Sequence, residues 1–308
     1  MSKVLVTGGA GFIGSHIVEE LVSRNYKVVV LDDFSTGQKS NLENVKDRIK
    51  IITGSITKKE VVDKAMKGIE YVFHHAAFVS VPESIKKPKT TWDINIRGTK
   101  LLLNAAVKNK VKRFVFASSA AVYGNNPKLP KKETMKLEPI SPYAQSKRMG
   151  EIMCEQYREK EGLSTICLRY FNVFGPRQNP YSEYSGVISK FIGSFAMNQQ
   201  PTIFGDGEQT RDFIFINDVV QANMLAMDKK VGGSFNIATG ESTTINKLLE
   251  TINKAMNKNI APRYHNQREG DIKFSYADIQ KAKKYLSFKP EYSFEEGIKE
   301  TIGWYVQK

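Results

Sequence analysis

Cysteines, histidines and long apolar runs are scarce in this sequence, and each scarcity excludes a class of protein. The 308 residues include two cysteines, Cys154 and Cys167, and four histidines. Two cysteines in separate apolar patterns are too few for a disulfide framework or a metal cluster, so we expect both in the core and no metal site. No apolar run is long enough to cross a bilayer, and the residues from Val4 to Gly9 do not follow the pattern of a secretory signal. We therefore expect a soluble, cytoplasmic protein with no membrane partner.

Acidic residues are outnumbered by basic ones, which gives the chain a formal net charge of +14 at neutral pH. The lysines are spread over the whole sequence and form no basic tract, so a solvated basic surface is the simpler interpretation and nucleic-acid binding is the alternative. Hydrophobic residues (41%) and charged residues (25%) occur at globular frequencies, which excludes a disordered or fibrous chain. We predict no nucleic-acid partner; salt-sensitive retention on heparin would indicate one.

Short apolar strands alternate with longer helical patterns through the first half of the chain. The patterns predict strands at Lys3–Val6, Lys27–Leu31, Ile49–Thr53, Tyr71–Phe73, Arg113–Ser118 and Ser164–Arg169, and helices from Phe12 and at about 58–67, 92–109 and 142–161. Such alternation is typical of an α/β protein with a doubly wound parallel sheet. After Phe171 glycine and proline become frequent and the regularity weakens, which predicts a smaller C-terminal α+β domain that binds substrate.

A glycine-rich turn stands where the first strand runs into the first helix. Gly8, Gly11 and Gly14 recur every third residue in the segment Thr7-Gly8-Gly9-Ala10-Gly11-Phe12-Ile13-Gly14. Glycines there let a pyrophosphate approach the backbone, and the helix N-terminus supplies N–H groups and partial positive charge. Asp32, 24 residues past Gly8, would accept hydrogen bonds from ribose hydroxyls and repel a 2′-phosphate, which predicts NAD as the cofactor. The alternative is that Asp32 and Asp33 only cap a surface turn.

Tyr143 and Lys147 form the candidate catalytic pair. Their spacing of four places both on one face of a helix that begins after Ser141-Pro142. A phenolate could take a proton from a substrate hydroxyl, yet a normal tyrosine with a pKa of about 10 is protonated at neutral pH. A charged Lys147 and an oxidised nicotinamide, both positive, would lower that pKa. We therefore predict Tyr143 as the acid/base and Lys147 as its electrostatic partner.

The glycine spacing and the Tyr-x-x-x-Lys pair together resemble the extended short-chain dehydrogenase/reductases of the NAD-dependent epimerase/dehydratase family, over essentially the whole chain. The resemblance implies an NAD-binding Rossmann domain at residues 1–172, with returning segments near 212–240, and a mainly UDP-sugar-binding domain at 173–308. It also implies that Ser119 shares a hydrogen bond with the sugar hydroxyl. The further cofactor contacts that it implies are Phe12, Ile13, Asp33, Ser35, Thr36, Gly37, Ser55, Ile56, Ala76, Ala77, Phe78, Asn95, Ser118, Tyr143, Lys147 and Tyr170. Ser55 departs from the aspartate of many relatives.

The two alanines after Ser119 help to choose among the reactions of this family. Similar sugar-nucleotide 4,6-dehydratases carry Asp-Glu where this chain has Ala120-Ala121, and decarboxylating relatives carry Glu at the second position. Alanines cannot transfer protons, so elimination and decarboxylation are disfavoured. The reaction that remains is oxidation at one carbon followed by return of the hydride.

Three segments, Phe78–Pro82, Phe171–Gly175 and Gly186–Ile188, carry a closer likeness to UDP-N-acetylglucosamine and UDP-glucose 4-epimerases. The arginines implied by this resemblance suit a pyrophosphate, because the planar guanidinium binds two oxygens at once. Ser275 stands where epimerases restricted to unacetylated sugars have tyrosine, which implies room for a 2-acetamido group. The full set of implied substrate residues is Ser80, Ser119, Tyr143, Asn172, Gln178, Val187, Arg211, Arg268, Asp271 and Ser275.

The expected reaction is reversible C4 epimerisation of a UDP-hexose through a transient 4-keto sugar and bound NADH. The resemblance also implies a homodimer formed by helices near 97–109 and 143–158; the alternative is that Glu151, Arg158 and their neighbours on these helices are simply solvated. Two alternatives stay open. One is epimerisation of UDP-glucuronate, which needs a site for the C6 carboxylate. The other is a non-catalytic NAD-sensing regulator on the same fold, which could lose Tyr143 or Lys147 without penalty.

Overall fold

The computed structural model describes residues 1–179, 186–267 and 273–306. The strands are β1 (Lys3–Thr7), β2 (Lys27–Asp32), β3 (Ile49–Thr53), β4 (Tyr71–His74), β5 (Arg113–Ser119), β6 (Thr165–Tyr170), β7 (Asn172–Phe174), β8 (Thr202–Phe204), β9 (Thr210–Arg211), β10 (Phe213–Phe215), β11 (Gly233–Ile237), β12 (Thr243–Thr244) and β13 (Arg263–His265). The helices are α1 (Phe12–Ser23), α2 (Lys59–Ala65), α3 (Val81–Lys86), α4 (Pro88–Trp92), α5 (Thr99–Lys108), α6 (Pro142–Glu161), α7 (Val187–Ala196), α8 (Ile216–Asp228), α9 (Ile245–Ala255), α10 (Gln280–Leu286) and α11 (Phe294–Val306).

Seven of these strands form one parallel sheet in the order β11-β6-β5-β4-β1-β2-β3. β1 lies between β2 and β4, with Val4 opposite both Val28 and Tyr71. The strand order reverses at β1, and in an open α/β sheet such a reversal leaves a crevice at the carboxyl ends of the strands. The doubly wound parallel sheet predicted from the sequence is confirmed.

The sheet is covered on both faces, which explains why its strands are apolar throughout. Side chains alternate along a strand, so Val4 and Val6 belong to one core cluster, whereas Leu5 between them belongs to the other. Helices α1 and α8 pack on the first face and α2, α5 and α6 on the second. Cys154 and Cys167 are buried and unpaired in the second cluster, as expected for core residues.

The chain beyond residue 171 contributes to the main sheet and also builds small sheets of its own. β11 pairs with β6 at the edge of the main sheet, and three two-stranded pairs are β10-β7, β12-β9 and β13-β8. Helix α8 returns to pack against α1. The carboxyl ends of β5 and β6 therefore lie beside segments from the second half of the chain.

The helix predicted over residues 92–109 is interrupted in the structure. Residues Asp93–Gly98 form a π turn between α4 and α5. The wider turn accompanies hydrogen bonds that Asn95 makes outside the helix, to the backbone of Phe78. Periodicity alone does not reveal such a turn, which is frequent at functional sites. In the ranges that the structure describes, no helix is both long and apolar enough to cross a bilayer.

Candidate active site

The glycine-rich turn joins β1 to α1 at the crevice. Gly8 has φ +69°, and a Cβ on Gly14 would lie 2.1 Å from the Gly8 carbonyl oxygen. The turn is therefore closed by backbone atoms alone, which requires glycine. No side chain caps the N-terminus of α1, so N–H groups of its first turn, which includes Phe12 and Ile13, remain for a ligand. The geometry fits the pyrophosphate of a dinucleotide.

Alanine at position 14 is predicted to damage this turn. The added methyl group has to displace the Gly8 carbonyl, so we expect Gly14→Ala to lower the free energy of unfolding by about 1–3 kcal/mol and to weaken NAD binding. Calorimetric titration with NAD and urea unfolding measure the two effects. The matched control is Gly303→Ala in α11, where a Cβ would meet no atom within 4 Å. NAD affinity equal to that of the control would contradict the proposed role of this turn.

Asp32 and Asp33 differ in burial and in what they bind. Asp32, 7% exposed at the end of β2, accepts hydrogen bonds from the N–H groups of Ala10 (2.9 Å) and Phe34 (2.8 Å). Burial raises the pKa of the Asp32 carboxyl. Asp33 is exposed and accepts from the Ser35 N–H at 3.0 Å, so it caps the turn. Each Asp32 oxygen accepts only one of these bonds and keeps acceptor capacity for ribose hydroxyls.

The other predicted cofactor residues follow the ends of β2, β3, β4, β5 and β6. Gly37 is needed for close packing, because a Cβ there would lie 2.9 Å from Asp32 Oδ1. The Ser55 hydroxyl is paired with that of Thr57 at 3.0 Å, and Ser118 donates to Glu151, so both side chains bind within the protein. The remaining residues are Ser35 and Thr36, which are exposed, Ala76, Ala77 and Phe78, which are half-buried, and Ile56, Asn95 and Tyr170, which are buried.

The candidate catalytic side chains meet where β5 ends and α6 begins. The Ser141 hydroxyl caps α6 by accepting from the Ala144 N–H at 3.1 Å, and Pro142 occupies the first turn. One turn further on, Lys147 Nζ donates to the Ala117 carbonyl of β5 at 2.8 Å and lies 5.8 Å from the centre of the Tyr143 ring. Sequence spacing therefore predicted correctly that Tyr143 and Lys147 share a face.

The electrostatics of this pair differ from the simple prediction. Burial raises the pKa of the Tyr143 phenol, while a hydrogen bond with the Ser119 hydroxyl lowers it by less. Burial also lowers the pKa of Lys147 to about 8. Desolvation of the phenolate therefore opposes the expected depression of the tyrosine pKa. A further positive charge beside the phenol is needed to favour the phenolate.

A buried ion pair behind this site was not predicted. The alternative of a solvated Glu151 is wrong, because its side chain is 3% exposed and binds Arg169 through two hydrogen bonds of 2.8 Å. Ser118, next to Ser119, donates to the same carboxylate at 2.6 Å. Arg169 also donates to the Tyr123 hydroxyl at 2.9 Å. The only signals in the sequence are an arginine within an apolar strand and a glutamate four residues after Lys147.

Four of the predicted substrate residues line one cavity of about 640 Å³ between β7, α7 and β9. They are Asn172, Gln178, Val187 and Arg211. Phenylalanines and isoleucines supply much of the remaining wall. A concave site that combines apolar walls with polar groups in similar measure suits a nucleotide. Ser80 is placed differently, because its hydroxyl caps α3 by accepting from the Glu83 N–H at 3.0 Å.

The segment that carries Ser275 is bound to residues on either side of Arg211. The Thr210 N–H donates to the carbonyl of Lys273 at 2.8 Å, and the Ala277 N–H donates to Asp212 Oδ2 at 3.1 Å. These two bonds hold the half-buried Ser275 beside the strand that carries Arg211. Arg268 and Asp271, the other predicted substrate residues, lie outside the described residues. Within the described ranges, no cluster of three or more His, Cys, Asp or Glu side chains could hold a metal ion.

Comparisons with known proteins agree with this geometry. The model of the NAD dependent epimerase/dehydratase family matches residues 4–238. The chain is 36% identical to the UDP-glucose 4-epimerase of Mycolicibacterium smegmatis, over 99% of both chains. It also resembles the UDP-N-acetylglucosamine 4-epimerase of Methanobrevibacter ruminantium M1 solved with UDP-N-acetylmuramic acid (42% identity, TM-score 0.96, 99% of this chain and 98% of that one).

Two further solved structures are similar over 99% of both chains. The UDP-glucose 4-epimerase of Thermotoga maritima, solved with UDP-glucose, has 39% identity and a TM-score of 0.95. The UDP-glucuronic acid 4-epimerase of Bacillus cereus, solved with UDP-glucuronic acid and NAD, has 31% identity and a TM-score of 0.90. Proteins that differ in the sugar they bind therefore share this fold.

Proposed function

The chain belongs to the NAD-dependent epimerase/dehydratase family, and on that premise we propose that it interconverts the C4 epimers of a UDP-hexose. The substrate pairs are UDP-GlcNAc with UDP-GalNAc and UDP-glucose with UDP-galactose. One observation carries the proposal: Tyr143 and Ser119 meet beside Lys147, while the two residues after Ser119 are alanines. This site can move one proton to and from the oxygen of one carbon, as an epimerase requires. It lacks the extra acid and base of an eliminating enzyme.

Each catalytic side chain has a separate task. When bound, NAD supplies reversible two-electron oxidation at a sugar carbon. Tyr143 takes the O4 proton as that carbon is oxidised and returns it to the opposite epimer. Ser119 holds the same oxygen, and Lys147 adds positive charge beside the phenol. The Gly8–Gly14 turn and Asp32 bind NAD, together with the residues at the ends of β2, β3, β4, β5 and β6.

The two ends of the substrate are held by the second half of the chain. We place the nucleotide in the 640 Å³ cavity, with its pyrophosphate at Arg211 and its sugar oriented by Asn172 and Gln178. Arg268 and Asp271 complete this site in the proposal. Residues 1–172, with returning segments near 212–240, would then bind NAD, and most of residues 173–308 the UDP-sugar. Anchoring at the pyrophosphate leaves the keto sugar free to present either face.

Incubation of the purified protein with UDP-GlcNAc, UDP-glucose and UDP-glucuronate, with NMR detection of the epimers, tests the proposal. We expect turnover of the first two. Conversion of UDP-glucuronate alone would favour the glucuronate epimerase instead, and bound NAD without any turnover would favour the NAD-sensing regulator.

Light scattering on the same sample tests the proposed homodimer, which we place on the α5 and α6 surface that exposes Met149 (36%).

Ser275 is proposed to set the choice between acetylated and unacetylated sugars. In this proposal the small side chain of Ser275 leaves space at the sugar end, and tyrosine would fill it. We expect Ser275→Tyr to reduce kcat/KM for UDP-GlcNAc by at least about tenfold while kcat/KM for UDP-glucose changes little, since a steric clash acts only on the bulkier substrate. Ser275→Ala serves as the control. Unchanged UDP-GlcNAc turnover by a folded Ser275→Tyr protein would contradict the assignment.

A further inference from the structure

His74 is a buried polar residue at the end of the apolar strand β4. Its side chain is held between two threonines, with Nδ1 2.8 Å from Thr7 Oγ1 and Nε2 2.8 Å from Thr99 Oγ1. His74 is 2% exposed, Thr7 fully buried and Thr99 1% exposed. A buried imidazole with both nitrogens engaged is held in one ring orientation and one protonation pattern. None of the cofactor or substrate assignments uses this residue.

The hydroxyl groups fix which ring nitrogen carries the proton. Thr99 Oγ1 donates its only proton to the Asn95 carbonyl at 2.6 Å, so His74 Nε2 has to donate to Thr99. On the other side, Thr7 Oγ1 accepts from the Ala76 N–H at 3.2 Å and can give its proton to Nδ1. The network thus assigns a neutral imidazole protonated at Nε2. Burial, and next the charge of Lys147, lower the pKa of His74 well below its usual value, in agreement with a neutral ring.

The same chain of hydrogen bonds continues to the catalytic helix. Asn95 Nδ2 donates to Ser146 Oγ at 2.9 Å, and Ser146 Oγ donates to the Tyr143 carbonyl at 2.7 Å. Asn95 also binds the backbone of Phe78: its Oδ1 accepts from the Phe78 N–H at 2.7 Å, and its Nδ2 donates to the Phe78 carbonyl at 3.0 Å. Both amide protons of Asn95 are therefore used within the protein. Its side chain links the backbone after β4 to the first turn of α6.

The other end of the chain reaches the glycine-rich turn. Thr7 precedes Gly8, and a Cβ built on Gly8 would lie 2.6 Å from the Ala76 nitrogen. The Thr7–His74 contact therefore sits directly under the backbone proposed to hold the pyrophosphate. One continuous set of buried hydrogen bonds connects the proposed cofactor turn with the residue proposed as acid/base.

We propose that His74 is a positioning residue that, through Thr99, Asn95 and Ser146, sets the distance between the glycine-rich turn and the catalytic tyrosine. The inference rests on the proposed function, because Tyr143 has to lie at a defined distance from the oxidised carbon. A displacement of about 1 Å is enough to cost roughly 100-fold in rate. His74 touches none of the reacting groups in this assignment, so its removal acts through Tyr143.

Position 99 offers a matched pair of variants. Thr99→Val keeps the shape of the side chain and removes the hydroxyl, whereas Thr99→Ser keeps the hydroxyl. We expect Thr99→Val to lower kcat by about tenfold or more with little change in the KM for the UDP-sugar, and Thr99→Ser to stay near wild type. Comparable kcat values for the two variants, both folded, would overturn the inference.

A double-mutant cycle tests whether His74 and Thr99 act through one link. His74→Asn leaves an acceptor near the former Nδ1 and removes the donor to Thr99. Because the link is then already broken, we expect His74→Asn/Thr99→Val to be about as slow as the slower single variant. Multiplied effects on kcat would show independent roles and overturn the inference. His74→Gln, which can still donate toward Thr99, is expected to recover part of kcat.

Two readouts do not depend on turnover. In ¹⁵N NMR, the His74 ring, identified among four histidines by its loss in His74→Gln, is expected to be protonated at Nε2 alone near neutral pH. A crystal structure of Thr99→Val is expected to show the first turn of α6 displaced relative to Gly8. Protonation at Nδ1, or an unmoved α6, would overturn the inference even if the wild-type protein epimerised UDP-sugars. Absence of wild-type turnover would instead reject the proposed function.

Discussion

Tyr143→Phe is expected to lower kcat for UDP-sugar epimerisation by about 10²–10⁴-fold, the usual contribution of a positioned acid/base. The ring and its packing are kept, and only the hydroxyl that exchanges the O4 proton is lost. Since the proposed nucleotide cavity lies at α7 and β9, away from this hydroxyl, we expect the affinity for UDP to change little. Initial rates by NMR and calorimetric titration with UDP measure the two quantities separately.

Two controls make the outcome specific. Tyr285→Phe removes a hydroxyl from an exposed tyrosine (46% exposed) and should leave kcat unchanged. NAD titration of Tyr143→Phe should show that the cofactor still binds, because no backbone contact of the glycine-rich turn is altered. Near-normal kcat for Tyr143→Phe would remove Tyr143 from its role. A joint loss of UDP and NAD affinity would indicate misfolding rather than lost acid/base chemistry.

The pKa values of the site explain why the cofactor matters for the base itself. Burial raises the pKa of Tyr143 and lowers the pKa of Lys147 to about 8. The phenol of the protein alone is therefore protonated at neutral pH. A positively charged group beside the ring would favour the phenolate, so the form of Tyr143 able to accept a proton is expected mainly in the complex with oxidised cofactor.

The periodicity and spacing of apolar residues were sufficient to predict the main sheet. Apolar runs such as Val28–Leu31 can be buried on both sides only in a sheet with helices on both faces, and the helix between Lys3–Val6 and Lys27–Leu31 forces a parallel crossover. The π turn at Asp93–Gly98 was not predictable, because it accompanies hydrogen bonds between Asn95 and the backbone of Phe78, 17 residues away. Local periodicity carries no information about such contacts.

Within the site, too, local features could be predicted and contacts between distant residues could not. The glycine turn and the Tyr143–Lys147 pair are set by neighbouring residues, so their spacing predicts their geometry. His74 and Glu151 acquire their roles from partners far along the chain, Thr99 at 25 residues and Arg169 at 18 residues. Glu151 lies on a helix with many charged residues, and the only sign of its burial is its position four residues after Lys147. Polar residues inside apolar strands, such as His74 and Arg169, are the sequence feature that indicates such buried hydrogen-bond networks.

Breaking the buried ion pair is predicted to have the largest effect on stability. Arg169→Met is expected to lower the free energy of unfolding by about 3–5 kcal/mol, because it leaves the buried Glu151 carboxylate with only the part-exposed Arg148, at 3.4 Å, as a counter-charge. The side-chain volume is roughly kept, so the loss reports on charge and hydrogen bonds rather than on a cavity. Urea unfolding followed by circular dichroism measures the change.

A surface pair of similar geometry provides the control. Arg24 Nε lies 2.7 Å from Glu20 on α1, with 44% and 34% of the two side chains exposed, compared with 3% and 2% for Arg169 and Glu151. Water screens the exposed pair, so Arg24→Met should cost less than about 1 kcal/mol. Equal losses would show that burial does not govern the Glu151–Arg169 pair. If the prediction holds, the Glu151 carboxylate, which accepts a hydrogen bond from the Ser118 hydroxyl, also stabilises the end of β5 that carries Ser119. Stability and catalytic geometry then depend on the same ion pair.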